Sequence, residues 1–332
     1  MTVQTVVYTT LIGDDEPIEE LPADIIDYGF RLNRPGHLHF TLPVDHPKCR
    51  SNIIWPGVHE AVVTRNRQVV WRGPVLTARE TERTVEFGCE GLLAYLRRWY
   101  VTDTLTYTDE DLAVIARALI DHHQGKAGGD FGIDTTGTET TRTASRTYNG
   151  YELKNVYDAV IELAEVDDGF DFEIDPETRR FIAHYPQAGT RKPNLLWEDG
   201  ILRYARDVDA TGQASQILAV GEGEGDSMLR ISRQSSSAVA SYGLTQAIHT
   251  AKTVSLAATL LDHAAGQLTR FAEPSQTVTV TVGGDVACVL GDEGRLVYPS
   301  AYEAVSEYRR LVGLDVTWER GTEHTTLQLE PI

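Results

Sequence analysis

The stretch over residues 69–101 constrains the fold of this chain most strongly, because its hydrophobic period changes part-way along it. Val85, Phe87 and Cys89 alternate with polar residues and glycine, which predicts a strand with one buried face. After Gly91 the leucines follow a helical spacing, and two arginines end the segment, where cations suit the helix dipole. The sequence therefore predicts a strand that leads directly into a short amphipathic helix.

The sequence before this strand predicts further antiparallel strands. One strand is expected to stop at a tight break at Gly73-Pro74, and the next to end at a polar turn over residues 81–83. An opening strand is predicted over residues 1–8, then a loop over 13–23, and the alternation over residues 38–42 indicates a further strand. The first hundred residues thus predict a compact antiparallel barrel or sandwich.

The middle of the chain has a helical period. Thr108 is a good N-cap for a helix that is predicted to reach His122, and a second helix is predicted over residues 151–165. Residues 125–147 between them are rich in Gly and Thr and lack an apolar period, so we expect an exposed, mobile loop.

An acidic series follows the second helix, at the start of a predicted hairpin. It alternates with Phe170, Phe172 and Ile174, so we expect it on the solvent face of a strand. It lacks the spacing of a calcium loop, and we do not read it as a pair of glycosidase carboxylates. The series comprises Asp167, Asp168, Asp171, Glu173 and Asp175.

The last third of the chain predicts a second all-β unit with one helix over residues 256–268. Strands are predicted where threonine and valine alternate over 277–282, and also over 286–290, 295–298, 308–318 and 325–329. The predicted fold class is mainly β with α insertions (α+β), with two antiparallel barrel or sandwich units flanking a helical insertion. The predicted division is 1–98 for the first β unit, 99–200 for the helical insertion with a small hairpin, and 201–332 for the second β unit.

The charge of the chain limits its partners. Lys and Arg number 30 against 49 Asp and Glu, a formal net charge of -19, so a nucleic-acid backbone would be repelled and no specific nucleic-acid binding is expected. No apolar run is long enough to span a membrane, and the N-terminus lacks the layout of a signal peptide. We therefore expect no membrane partner and synthesis in a cytosol.

Two patterns could hold an anion or a metal. The glycine-rich loop over residues 221–225 has the wrong spacing for a dinucleotide or phosphate site and carries two glutamates, so we interpret it as a structural turn. His37 and His39 share a strand face, and His122 is adjacent to His123, but neither pair has a third ligand at a recognisable spacing. The sequence predicts no metal site and no cofactor.

No catalytic residue can be named from the sequence. There is no nucleophile elbow, and three widely spaced cysteines give neither a disulfide framework nor a zinc site. Scattered tryptophans could form a sugar-binding platform, but such residues more often anchor cores or interfaces. They are Trp55, Trp71, Trp99, Trp197 and Trp318.

The order of several short motifs resembles the minor tail proteins at the tail tip of long-tailed bacteriophages that infect actinobacteria. A Trp-x-Gly-x-Val strand leads to a Leu-rich helix with arginines, a Tyr-x-Ala helix precedes a Gly-Phe-Asp strand, and a glycine loop precedes Tyr242-Gly243. The likeness covers most of the chain beyond Val69. The matching residues are Trp71, Gly73, Val75, Leu92, Leu93, Leu96, Arg97, Arg98, Tyr157, Ala159, Val160, Gly169, Phe170, Asp171, Gly221, Gly223, Gly225, Leu290, Gly291 and Asp292.

This resemblance implies a structural, non-enzymatic virion protein of the baseplate-hub type, with twin barrels related to the tail-tube fold. It implies a homotrimer that links the tail tube to distal fibres or receptor-binding parts. The implied neighbours are a distal tail or tube protein, the tape measure protein and tail fibres, and the implied location is the phage tail tip after synthesis in the host cytoplasm. A carbohydrate-binding tail adhesin and a cell-wall hydrolase are the alternatives.

Overall fold

A computed structural model of the protein describes residues 5–197, 200–284, 286, 288–302, 304–319 and 322–332. The N-terminal part consists of seven strands. They are β1 (Thr5–Leu11), β2 (Glu19–Leu21), β3 (Asp24–Arg31), β4 (Arg34–Pro43), β5 (His59–Arg65), β6 (Gln68–Glu80) and β7 (Thr84–Glu90).

The middle part alternates helices with short strands. A 3-10 helix (Leu92–Arg98) follows β7, and a shorter one (Gly150–Glu152) precedes α2. The other elements are β8 (Leu105–Asp111), α1 (Leu112–Gln124), β9 (Thr143–Tyr148), α2 (Val156–Ala164), β10 (Asp171–Ile174) and β11 (Phe181–His184).

The C-terminal part is again mostly strand. Its elements are β12 (Arg191–Trp197), β13 (Ile201–Asp209), β14 (Gln216–Val220), a 3-10 helix (Gly225–Ser227), β15 (Arg230–Gln234), α3 (Ser236–Tyr242), β16 (Gln246–Thr250), α4 (Ala257–Phe271), β17 (Ser275–Gly283), β18 (Glu293–Tyr298), β19 (Val305–Glu319) and β20 (Thr322–Pro331). The predicted class, mainly β with helical insertions, is confirmed.

One large sheet runs through both β units. Among the described residues it contains 13 strands. Eleven follow the order β13-β17-β20-β19-β3-β4-β7-β6-β5-β1-β2, and β18 pairs with β19 while β12 pairs with β18. The units meet where β19 pairs antiparallel with β3, with Leu314 opposite Phe30 and Asp315 opposite Gly29. The remaining sheets are small: β8 with β9, β10 with β11, and β15-β14-β16.

Four apolar clusters are found in the described part of the chain, and they follow these sheets. The N-terminal cluster includes Leu38, Phe40 and Trp71. The middle cluster packs the 3-10 helix, α1 and α2 against the β10–β11 hairpin. The second β unit has its own cluster around Val278 and Leu327, and α4 covers the small three-stranded sheet. The predicted domain boundaries remain a prediction.

The predicted break at Gly73-Pro74 is wrong, because β6 continues through it. The strand changes partner there: Pro74 is the last residue paired with β5, and Val75 is the first paired with β7. Gly73 permits the change, since a Cβ at this position would lie 1.8 Å from the carbonyl oxygen of Glu90. Proline is tolerated where a strand moves from one sheet ladder to the next.

Several other expectations are wrong in position. Asp111, not Thr108, caps α1, and its carboxylate accepts hydrogen bonds from the amides of Ala113 and Val114 at 2.9 and 3.2 Å. The expected mobile loop over 125–147 contains the first part of β9, which pairs with β8. The expected strand over 286–290 is non-strand at its described residues, and Ala287 lies outside them. Of the opening strand, residues 1–4 also lie outside the described part.

Candidate functional surface

Over six consecutive strands, from β17 to β7, the large sheet has one face on which the paired residues are polar or glycine. We call this the polar face. The strand register places its residues opposite one another. The alternate residues of these strands point to the other side, into the cores; they include Val280, Leu327, Val316, Tyr28, Leu38 and Phe87. The polar face consists of Thr279, Thr281, Thr326, Gln328, Asp315, Thr317, Asp27, Gly29, His37, His39, Thr41, Glu86, Gly88 and Glu90.

The polar face crosses the junction of the two β units without interruption. At the junction Arg31 donates two hydrogen bonds to the carboxylate of Asp315, at 2.6 and 2.8 Å. Such a bidentate pair fixes both side chains against the sheet. The continuity holds because the hydrophobic residues of β19 and β3 share the opposite face.

A three-residue cluster lies beside this junction. His39 Nδ1 is 2.7 Å from Asp27 Oδ1, and His37 Nε2 is 3.3 Å from the same oxygen. Burial acts to raise the pKa of Asp27, but hydrogen bonds with His37 and His39 outweigh it and hold that pKa below its usual value. Sequence spacing misses Asp27 because it lies on β3, and only strand pairing brings it to the two histidines.

A buried ionic network connects the first β unit to the helical part. The carboxylate of Glu60 is fully buried and accepts hydrogen bonds from Arg179 at 2.7 and 2.9 Å and from the hydroxyl of Tyr95 at 2.7 Å. Burial, and then the neighbouring Glu60 charge, raise the pKa of Tyr95. The network fixes the β10–β11 hairpin against β5.

The sequence predicts that the acidic series lies on the solvent face of a strand, and this is wrong for Asp171. Asp171 is buried, and its carboxylate accepts hydrogen bonds from Asn33 at 2.9 Å, from the amide of Ala188 at 2.8 Å and from Arg310. These partners come from three separate parts of the chain. Asp171 is therefore a structural link between the hairpin and β19, while Glu173 pairs with His184 at the surface.

The other sequence candidates have structural surroundings. In the glycine loop, the amides of Gly221 and Glu222 donate to carbonyl oxygens at 2.8 and 2.9 Å, so they do not face a ligand. His123 stacks on Trp99 with 4.3 Å between ring centroids, and burial lowers the pKa of His123. These residues support the packing of the chain.

The four tryptophans whose side chains the structure describes do not form a common platform. Trp71 and Trp99 are buried at 2% exposure, Trp318 packs against the N-terminal cluster, and Trp55 is exposed. The side chain of Trp197 lies outside the described residues. This arrangement weakens the reading of the chain as a tryptophan-based sugar-binding protein. No helix in the described ranges is both long and apolar enough to cross a membrane.

Solved structures share this fold over almost its whole length. A tail protein from Neisseria meningitidis superposes with a TM-score of 0.64 at 14% identity, over 98% of this chain and 96% of that one. The 43 kDa tail protein of prophage MuSo2 from Shewanella oneidensis gives 0.62 at 11% identity, over 98% of both chains. The chain has the fold of phage tail proteins.

The fold also occurs outside phages. An Escherichia coli component of the type VI secretion system, described as similar to two tail proteins of bacteriophage T4, superposes with a TM-score of 0.50 at 12% identity, over 98% of this chain and 76% of that one. The sequence itself matches no protein-family model and no curated protein. The similarity that these comparisons find is therefore one of fold.

Proposed function

We propose that this protein is a structural subunit of a phage tail, of the hub type, placed at the tail tip. The observation that carries the proposal is the match to phage tail proteins across nearly the full length of both chains. Because the shared fold takes up almost all of this chain, we propose a role in assembly and not in catalysis. The motif order favours a long-tailed phage of actinobacteria as the source.

The polar face is proposed to line a central channel. A channel through which DNA moves benefits from a surface that offers neither apolar contacts nor unpaired cations, because both would retain the DNA. The face meets that requirement at the junction, where Arg31 is neutralised by Asp315. The formal net charge of -19 acts in the same direction, since it repels phosphate.

The proposed assembly is a homotrimer. Each chain contributes two β units joined into one sheet by the β19–β3 pairing, so three copies would present six units around an axis. Such a ring matches a six-fold tail tube on one side. We propose that it contacts a distal tail or tube protein, the tape measure protein and tail fibres in the virion, after assembly in the host cytoplasm.

The assembly is tested by light scattering on the purified chain, with negative-stain imaging of the same fraction. A trimer that forms an annulus is the expected result. A chain that stays monomeric both alone and when mixed with its tube-side neighbour contradicts the hub proposal. Clearing of peptidoglycan by the pure protein would support a hydrolase instead, and saturable glycan binding lost in Trp55→Ala would support an adhesin.

A further inference from the structure

The cluster beside the junction has the chemistry of a metal site. We propose that Asp27, His37 and His39 bind one divalent transition-metal ion, such as Zn2+, on the polar face. One ligand atom from each residue lies within 4.8 Å of the others. The proposal rests on these side chains and does not depend on the proposed function, and a bound ion would be a local exception to the absence of unpaired cations on the polar face.

Strand register brings the three ligands together. Asp27 is directly opposite His39 on the neighbouring strand, and Gly29 is opposite His37. Both imidazoles approach one carboxylate oxygen, at 2.7 and 3.3 Å. In a tetrahedral zinc site with bonds of about 2.0–2.1 Å, ligand atoms lie roughly 3.3 Å apart, so small side-chain movements would complete the geometry.

Gly29 creates the space for the cluster. A Cβ at this position would lie 2.0 Å from Asp315 Oδ1 and 2.7 Å from His37 Cε1. Any side chain there would displace His37 from its place above the backbone. Asp315 Oδ1 is 3.7 Å from His37 Nε2, so a second carboxylate borders the site.

The local charge suits a cation. Arg31 and Asp315 neutralise each other through their bidentate pair, which leaves the negative charge of Asp27. The side chains of His37 and His39 are 29% and 44% exposed, so an ion and a completing water can enter from solvent.

The donor set defines the class of metal. Two imidazoles and one carboxylate suit Zn2+, Co2+, Ni2+ or Cu2+, whereas Mg2+ and Ca2+ require mostly oxygen ligands. Three protein ligands leave a fourth position for water or for a group from another molecule. A bound ion would tie β3 to β4 at the junction of the two β units.

The test is zinc titration calorimetry on tag-free protein that has been stripped with chelator and dialysed. We expect one Zn2+ per chain, confirmed by elemental analysis after gel filtration, and no comparable binding of Mg2+ or Ca2+. His37→Gln and Asp27→Asn should each weaken zinc binding by at least about 10–100-fold, the loss that even outer-shell partners cause. His184→Gln is the matched control, because His184 pairs with Glu173 at 2.9 Å outside the cluster.

A second measurement keeps the test independent of the variants' folding. Co2+ added to the stripped wild-type protein should give the intense visible absorption of a four-coordinate ion, and Zn2+ should abolish it by displacement. Failure to bind Zn2+ stoichiometrically, equal binding of Ca2+, or a weak six-coordinate Co2+ spectrum overturns the proposal. The proposal is also overturned if the His37→Gln and Asp27→Asn variants fold and still bind zinc as tightly as the wild type.

Discussion

Replacing Arg179 by Met tests the energetic importance of the buried network. Arg179 and Glu60 have side chains that are 3% and 0% exposed, and two hydrogen bonds join them. Removing one partner of a buried pair leaves the other charge uncompensated and costs about 3–5 kcal/mol. Arg72 lies 3.8 Å from Glu60 and compensates part of that charge. We therefore expect Arg179→Met to lower the free energy of unfolding by about 3 kcal/mol.

The assay is urea unfolding followed by tryptophan fluorescence at a fixed protein concentration. The adjacent Arg180 provides the control, because its pair with Asp134 is exposed, at 48% and 31%. Arg180→Met should cost only about 0–1 kcal/mol. Adding Glu60→Gln to Arg179→Met should restore part of the loss, since it removes the uncompensated charge. Equal unfolding midpoints for Arg179→Met and Arg180→Met would refute the reasoning.

Three further predictions test other parts of the fold. Burial first, and then the Arg146 charge, lower the pKa of His263 to about 3, so the unfolded chain binds a proton that the folded chain does not, and stability falls as pH drops below about 6.5. Between pH 7 and pH 5 this residue should lower the free energy of unfolding of the wild type by about 2 kcal/mol. In His263→Gln the free energy of unfolding should depend correspondingly less on pH. Asp111→Ala should cost about 0.5–2 kcal/mol through the lost helix cap, and the lost hydrogen bonds from Thr140 should add to that cost. Thr108→Ala should stay within about 0.5 kcal/mol, and equal losses in denaturant titrations would contradict the assignment of the cap. Gly73→Ala should cost about 1–3 kcal/mol or more because its Cβ meets a backbone carbonyl that cannot rotate away, and an unchanged melting temperature would show that β6 shifts freely.

Strands with regular alternation could be predicted from the sequence. In β4, Leu38, Phe40 and Leu42 are all fully buried, and the predicted face is the observed one. β3 was missed because its register shifts twice against β4, between Ile25 and Asp27 and again between Gly29 and Arg31. Bulges insert a residue and interrupt the period of two on which strand prediction depends.

The loop over residues 125–147 shows a different limit of sequence reading. It has no apolar period, and it is held instead by side chains that satisfy backbone groups. Gln124 bonds both the amide and the carbonyl of Ile133, at 2.8 and 2.9 Å, and Asp111 accepts from the amide of Thr140 at 2.8 Å. Such hydrogen bonds depend on partners brought together by the fold, so local composition cannot reveal them.

The same limit applies to the candidate metal ligands. His37 and His39 could be paired from their spacing in one strand, because successive same-face residues are two apart. The sequence could not identify Asp27 as a third ligand, because its position opposite His39 follows from the shifted register of β3 and β4. The polar face likewise cannot be predicted without the pairing of β19 with β3.

The pairing of β19 with β3 also has a consequence during synthesis. The contact between Arg31 and Asp315 spans 284 positions of sequence. At about 5–20 residues per second, a ribosome takes roughly 15–60 s to make the second partner after the first. During that time β3 has an open edge that other nascent chains can join. Crowded polysomes should therefore favour misassembly, and lower expression rates or chaperone supply should raise the yield of soluble protein.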